Sequence, residues 1–186
     1  MKTLVQYLLA KKAKKLIQKH KPIVIGVTGS VGKTSTRDVI ATLLSETFDV
    51  APTIKNYNNE FGLPLTILGK TSPGRSVFGW LSLLMSSPKT LPQVFVLEYA
   101  IDHPGDMAVL CNIVQPSIGV MTRISPVHAE HFRSVEQLTE EKAQLLECIP
   151  EHGLVVLNAD DPRVMGLTGH VRAPVMTYGF SSSADV

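Results

Sequence analysis

Residues 23–35, with the sequence IVIGVTGSVGKTS, place a short apolar run directly before a loop of small residues and a lysine. The run 23–27 is typical of a buried strand, and apolar residues at helical spacing over 34–48 predict a helix after the loop. Glycines let backbone N–H groups turn inward around phosphate oxygens, and a helix N-terminus adds its positive end. The stretch therefore predicts a phosphate-binding loop at the carboxyl end of a strand.

The loop has the residue types that hold ATP and Mg²⁺. We expect Lys33 to reach the β- and γ-phosphates and the Thr34 hydroxyl to hold Mg²⁺. Val27 stands where the general pattern GxxxxGK[ST] has its first glycine, which argues against an ordinary kinase loop or an unrelated phosphotransferase. The residues expected to bind the nucleotide here are Gly29, Ser30, Val31, Gly32, Lys33, Thr34 and Ser35.

The rest of the chain alternates apolar strand-like runs with helical stretches. Further strands are predicted at 94–98, 118–122, 154–157 and 175–178, with a weaker one near 48–51, and a helix at 134–149. Strands that are apolar throughout and separated by helices indicate a mainly parallel sheet covered on both faces. The predicted fold class is a doubly wound α/β domain, whose ligands bind at the carboxyl ends of the strands.

Charge is unevenly placed along the 186 residues. Residues 1–22 carry seven lysines and no acid, whereas the remainder carries 11 Lys and Arg against 16 Asp and Glu. The mildly acidic remainder argues against nucleic acid as a partner. Residues 1–22 predict a basic amphipathic helix. We favour its packing on the domain with solvated lysines, and the open alternative is a weak contact of residues 1–20 with an anionic membrane surface.

Two further features bear on the organisation and location of the chain. Residues 70–92 hold Gly, Ser and Pro around the apolar run FGWLSLLM at 78–85, and they predict a packed insertion before the strand at 94–98. Cys111 and Cys148 lack CxxC spacing and are expected to be reduced thiols. Because the sequence has no apolar run of about 18 residues and no secretory cleavage pattern, a cytoplasmic location is predicted.

Five segments follow one another in an order that resembles a known family. They are TGSVGKTS at 28–35, NYNNEFGLP at 56–64, LEYAIDHPGD at 97–106, PVHAEHF at 126–132 and LNADDP at 157–162. The set resembles the motifs of the Mur ligases, which add amino acids to the peptidoglycan precursor, and among them the MurF type. The resemblance implies an ATP-dependent amide ligase. ATP would phosphorylate a carboxylate of a UDP-muramoyl-peptide, and D-alanyl-D-alanine or a similar amine would then displace the phosphate.

The resemblance also implies a two-metal site. Thr34 and Glu98 would hold a first Mg²⁺ between the β- and γ-phosphates, and His128 with Glu98 would hold a second on the acyl phosphate side. Mg²⁺ prefers oxygen ligands and keeps several waters, which suits such a small set. The plain alternatives are a structural ion pair for Glu98 and a surface or capping role for His128.

Further site residues follow from the same resemblance. Lys142 lies where the family carries a lysine that is often carbamylated, so the implied catalytic residues are Lys33, His128 and Lys142. Asn58 and Asn59 would contact the phosphates or the acceptor substrate, and Asn158 the adenine, since amides both donate and accept. The alternatives are an exposed helical lysine for Lys142 and turn formers for Asn58 and Asn59.

Mur ligases have three domains, and the resemblance covers the central, ATP-binding one. We expect residues 23–186 to form this domain, incomplete at the C-terminus, and a C-terminal domain on the full-length chain. The fragment alone is then expected to be inactive in ligation. Two other functions stay open: a non-catalytic nucleotide-binding module, or another ligase of the superfamily that is MurE-like, folylpolyglutamate synthase-like or cyanophycin synthetase-like.

Overall fold

A computed structural model describes residues 2–54, 56–126 and 131–186. The strands are β1 (Ile23–Thr28), β2 (Val50–Pro52), β3 (Val94–Glu98), β4 (Ile118–Met121), β5 (Leu154–Asn158) and β6 (Val175–Tyr178). The helices are α1 (Lys2–His20), α2 (Lys33–Leu44), α3 (Gly62–Ile67), α4 (Val77–Met85), α5 (Asp106–Ile113), α6 (Val135–Glu147) and α7 (Pro162–Met165). A single 3-10 turn, Thr168–His170, stands before β6 in the described part of the chain.

The described strands form one sheet in the order β2-β3-β1-β4-β5-β6, and every neighbouring pair is parallel. The register places Val27 of β1 beside Glu98 of β3, and Thr28 beside Met121 of β4. β1 therefore lies inside the sheet, with β3 and β2 on one side and β4, β5 and β6 on the other. This confirms the predicted mainly parallel, doubly wound α/β fold, and it brings the carboxyl ends of β1, β3 and β4 to one edge.

Different helices cover the two faces of the sheet. Val27 of β1 lies in an apolar cluster with Ala41 of α2. Val24 of the same strand lies in another cluster, with Leu9 of α1 and Met107 of α5. Because strand residues an odd number of positions apart point to opposite faces, α2 covers one face, and α1 and α5 lie over the other.

The N-terminal helix α1 lies on the domain through one face. Leu9 and Ala13 are fully buried and Leu16 is nearly so, at the i, i+4, i+7 spacing of a helix face. No helix among the described residues is both long enough and apolar enough to cross a bilayer. Cys111 and Cys148 are free thiols whose Sγ atoms lie 2.9 Å apart, between α5 and the end of α6.

Candidate active site

The loop between β1 and α2 has a backbone that requires glycine. Gly29 has a φ of +143°, and a Cβ placed there would lie 2.0 Å from Oγ1 of Thr122. Gly32 has a φ of +87° and precedes the first residue of α2, Lys33. Residues that carry a side chain rarely adopt these backbone φ values. The two glycines therefore let the loop turn tightly into the N-terminus of α2.

The loop is held against the segment that follows β4. The backbone N–H of Ser30 donates to the carbonyl of Arg123 at 2.6 Å, and the Ser30 hydroxyl donates to the carbonyl of Ser125 at 2.9 Å. The Thr122 hydroxyl donates to the carbonyl of Val31 at 2.7 Å. These contacts fix the loop in place from a neighbouring strand, which suits a loop that receives an anion on its backbone.

Glu98, the last residue of β3, lies at the mouth of this loop. Its side chain is buried, and its Oε2 accepts a hydrogen bond from the Thr34 hydroxyl at 2.8 Å. Oε2 also accepts from Arg37 at 3.3 Å, and Oε1 accepts from Nδ2 of Asn58 at 3.1 Å. The backbone N–H of Glu98 donates to the hydroxyl of Thr53 at 2.7 Å. The carboxylate is therefore oriented from several sides and faces the phosphate loop.

The pair of Thr34 and Glu98 fits a Mg²⁺ ion. Both offer oxygen ligands, and Mg²⁺ in nucleotide sites commonly takes one or two protein oxygens with phosphate oxygens and waters. No group of three or more His, Cys, Asp or Glu that could hold a metal ion occurs in the part of the chain that the structure describes. The two oxygen ligands of Thr34 and Glu98 suit a metal that a bound phosphate helps to hold. His128 lies outside the described residues.

Two lysines face the same cleft of about 190 Å³, which Glu98 also lines. Lys33 donates to the carbonyl of Ser30 at 3.3 Å. Its burial lowers its pKa, and the carboxylates of Glu98 and Asp102 act in the opposite direction. The two carboxylates favour the charged form of Lys33 against its burial, and a cation at this position is placed to meet a polyphosphate.

Lys142, on α6, is almost completely buried. Its Nζ donates to the carbonyl of Gly29 at 3.1 Å, which ties α6 to the phosphate loop. Burial first, and then the charge of Lys33, lower the pKa of Lys142 from 10.5 to about 8. The structure therefore excludes the alternative of an exposed helical lysine.

Arg37 and Glu141 are buried charged residues that the sequence motifs did not indicate. Arg37 lies one turn after Lys33 on α2. Its guanidinium forms ion pairs with Glu98 at 3.3 Å and with Asp38 at 2.6 Å. Glu141 precedes Lys142, and its Oε1 accepts from the backbone N–H of Met107 at 2.9 Å. The signal for Arg37 was its i+4 spacing from Lys33, which places both on one helix face.

The amide residues occupy different positions. Asn58 contacts Glu98, whereas Oδ1 of Asn59 accepts from the backbone N–H groups of Gly62 at 2.9 Å and Phe61 at 3.2 Å, at the start of α3. Asn158 ends β5, and its Oδ1 accepts from the backbone of Asp160 at 3.0 Å. The capping contact of Asn59 and the turn at Asn158 leave their expected substrate and adenine contacts as predictions.

Comparisons with known proteins agree with this geometry. A family profile described as the Mur ligase middle domain matches residues 27–186. The UDP-N-acetylmuramoyl-tripeptide–D-alanyl-D-alanine ligase of Mycobacterium tuberculosis is 35% identical over 163 residues, which are 88% of this chain and 28% of the relative. The Bacillus subtilis protein of the same name is 30% identical over 173 residues, 93% of this chain and 33% of the relative.

A solved structure shares the fold and part of the sequence. The MurF ligase of Thermotoga maritima, solved in complex with ADP, has a TM-score of 0.76 and 30% identity, over 94% of this chain and 36% of that one. The chain thus spans about a third of the length of such relatives. With the profile matching residues 27–186, the chain belongs to the Mur ligase family, through its middle domain.

Proposed function

We propose that this chain is the nucleotide-binding part of an ATP-dependent ligase that joins D-alanyl-D-alanine, or a similar amine, to a UDP-muramoyl-peptide. The names of the relatives from Mycobacterium and Bacillus support this activity, and the ADP in the Thermotoga relative supports the nucleotide. Because those relatives are about three times longer, the chain would act with further domains. The two proposed substrates, ATP and a nucleotide-sugar peptide, support a cytoplasmic location for the protein.

The observation that carries the proposal is the meeting of Thr34 and Glu98 at the mouth of the phosphate loop. Lys33, Lys142 and Glu98 line the same cleft. A bare nucleotide-binding module needs the loop and its lysine. It does not need a buried carboxylate and a second, almost fully buried lysine at the same position, because both are costly to bury. Their presence favours a site that performs chemistry on the phosphate.

The phosphate loop and the side chains around it would have separate roles in the reaction. The loop N–H groups and Lys33 would bind the β- and γ-phosphates and stabilise the charge that develops as the γ-phosphoryl group moves to the substrate carboxylate. Thr34 and Glu98 would hold Mg²⁺, with His128 proposed for a second ion. When bound, the metal supplies neutralisation of phosphate charge. Asn58 would keep Glu98 oriented through its 3.1 Å hydrogen bond.

Lys142 would act as an anion at the second metal after carbamylation. A pKa of about 8 leaves roughly a tenth of the amine neutral at pH 7. A neutral amine can attack CO₂, forming the N–C bond and releasing a proton to water. The low pKa therefore supports the carbamate that the family resemblance implies, and the neighbouring Lys33 would be relieved of a like charge.

The test is ligation by the complete gene product that carries these residues. It would be incubated with ATP, Mg²⁺, UDP-N-acetylmuramoyl-tripeptide and D-alanyl-D-alanine, and the products measured by mass spectrometry. We expect one ADP and one phosphate for each amide formed. Glu98→Gln is expected to lower kcat about 100-fold or more, while Glu140→Gln, an exposed acid of α6, would leave it unchanged.

A panel of other acids and amines separates the alternatives. Amide formation only with a single amino acid as the amine would indicate another ligase of the superfamily. Nucleotide binding with no amide formed from any pair would contradict the proposal and favour the non-catalytic module.

A further inference from the structure

The segment 70–92, predicted from the sequence to be a packed insertion, is packed only in part, because its helix α4 leaves an apolar stripe exposed to water. Leu83 packs into the core, but Phe78 is 86% exposed, Met85 is 80% exposed, and Leu81 between them is also exposed. Their i, i+3, i+7 spacing places the three on one face of the helix. Three large exposed side chains on one face of a short helix make an apolar patch, and patches of this kind mark interaction sites.

The basic helix α1 lies directly beside α4. The Nζ of Lys12 donates to the carbonyl of Leu84 at 2.5 Å and to the carbonyl of Ser86, at the end of α4. Val5 of α1 and Trp80 of α4 line one cleft. Leu4 and Leu8 are exposed, and their i−8 and i−4 spacing from Lys12 places them along the side of α1 that faces the end of α4. We call the combined region, with Leu4, Leu8, Phe78, Leu81 and Met85, the α1–α4 surface.

Positive charge is concentrated in the segments that build this surface. Residues 1–22 and 70–92 together carry ten Lys and Arg and no Asp or Glu, whereas the other residues carry eight against 16 acids. Lys11 and Lys15 are exposed and continue the stripe of Leu4 and Leu8 at i+7 and i+11. Arg75 and Lys89 are exposed near the two ends of α4. The apolar stripe thus has a cationic border without a single acid from these segments.

We propose that the α1–α4 surface docks on an anionic lipid bilayer. Phe and Leu side chains beside Lys and Arg are the pattern of helices that lie in the membrane interface. Protein–protein interfaces, by contrast, are depleted in lysine. Phe78, Leu81 and Met85 enter the headgroup boundary, and the surrounding lysines select anionic headgroups. The proposal does not depend on the ligase activity, because none of these residues lines the cleft at Glu98.

The experiment is co-sedimentation of the protein with lipid vesicles. One set is phosphatidylcholine alone, and the other contains 30 mol% phosphatidylglycerol. We expect binding to the anionic vesicles and little binding to phosphatidylcholine, which has no net charge. Salt at 0.5 M should release the bound protein, because it screens the attraction between the lysines and the anionic headgroups. Absence of binding to the anionic vesicles at low salt would overturn the proposal.

Two pairs of variants with matched controls locate the contact. The double variant Phe78→Ser, Met85→Ser is expected to lower the partition coefficient at least tenfold, whereas Phe180→Ser, at a fully exposed phenylalanine after β6, would change it less than twofold. Lys11→Gln with Lys15→Gln is expected to lower it more than tenfold, at roughly fivefold for each lysine. Arg133→Gln with Arg172→Gln makes the same change of net charge at exposed positions elsewhere.

Two further results would overturn the lipid proposal, and they can be told apart. Equal losses in the charge variants and their controls would show a net-charge effect and overturn the assigned surface. Self-association that depends on Phe78 in sedimentation velocity, without vesicle binding, would assign the surface to a second copy of the chain and overturn the lipid proposal. Circular dichroism of each variant checks that these exposed substitutions leave the fold intact.

Discussion

Replacing Lys142 by methionine should stabilise the protein at neutral pH. Its pKa is lowered from 10.5 to about 8, which corresponds to about 3 kcal/mol of cost for keeping the buried amine charged at pH 7. The substitution also removes the 3.1 Å hydrogen bond to the carbonyl of Gly29, about 1 kcal/mol. Methionine has a similar volume, so the net expectation is a gain of about 2 kcal/mol in the free energy of unfolding.

The sign of the pH dependence follows from proton linkage. Below about pH 8 the amine is protonated in both states, so the full cost is present. Between pH 8 and 10.5 the unfolded chain binds more protons than the folded one, so the wild-type stability contributed by this group rises with pH. The advantage of Lys142→Met should therefore shrink across this range and reverse above it.

The assay is urea denaturation of both proteins in CO₂-free buffer from pH 7 to 10.5, with the exposed Lys19→Met variant as control. Other groups that titrate cancel in the difference between variant and wild type. A Lys142→Met variant that is less stable at pH 7, or whose stability difference is flat with pH, would refute the assigned burial cost.

Three further predictions concern residues around the phosphate loop. Gly29→Ala should abolish nucleotide binding measured by calorimetry, because its Cβ would lie 2.0 Å from Oγ1 of Thr122. Adding Thr122→Ala removes this clash but should restore little nucleotide binding, since the positive φ at residue 29 remains strained. Arg37→Met should cost about 3 kcal/mol in urea unfolding by leaving Glu98 buried without its ion-pair partner, and a change below 1 kcal/mol would contradict this pairing. Glu141→Gln should cost about 1 kcal/mol by weakening the cap on α5, with no change expected for Glu140→Gln.

The sequence was sufficient for most of the fold because its strands are short apolar runs bounded by turn residues. The strands at Val94–Glu98 and Val175–Tyr178 have the predicted bounds. The helix predicted over 34–48 ends earlier, at Leu44. There the Ser45 hydroxyl bonds to the carbonyl of Ala41 at 2.6 Å and tight turns lead into β2. Apolar periodicity alone does not show where such side-chain caps end a helix.

The candidate site was predictable where a local motif carries it and not where distant segments meet. The loop at 29–35 and the position of Glu98 at a strand end follow from local sequence. The support of the loop by Thr122 and the contact of Arg37 with Glu98 join elements far apart in the chain. The near-complete burial of Lys142 likewise depends on how α6 packs beside the loop. Such contacts require the sheet order, which the sequence pattern leaves open.

We expect Thr34 and Glu98 to bind Mg²⁺ together with a nucleotide held by the loop. The most direct measurement is calorimetric binding of a non-hydrolysable ATP analogue, with Mg²⁺ and with EDTA, to the wild type, Lys33→Ala and Glu98→Gln. We predict that Mg²⁺ strengthens wild-type binding at least tenfold, that Lys33→Ala weakens binding in both conditions, and that Glu98→Gln binds equally with and without Mg²⁺. If Mg²⁺ strengthened binding to Glu98→Gln as much as to the wild type, Glu98 would not be a ligand of the metal.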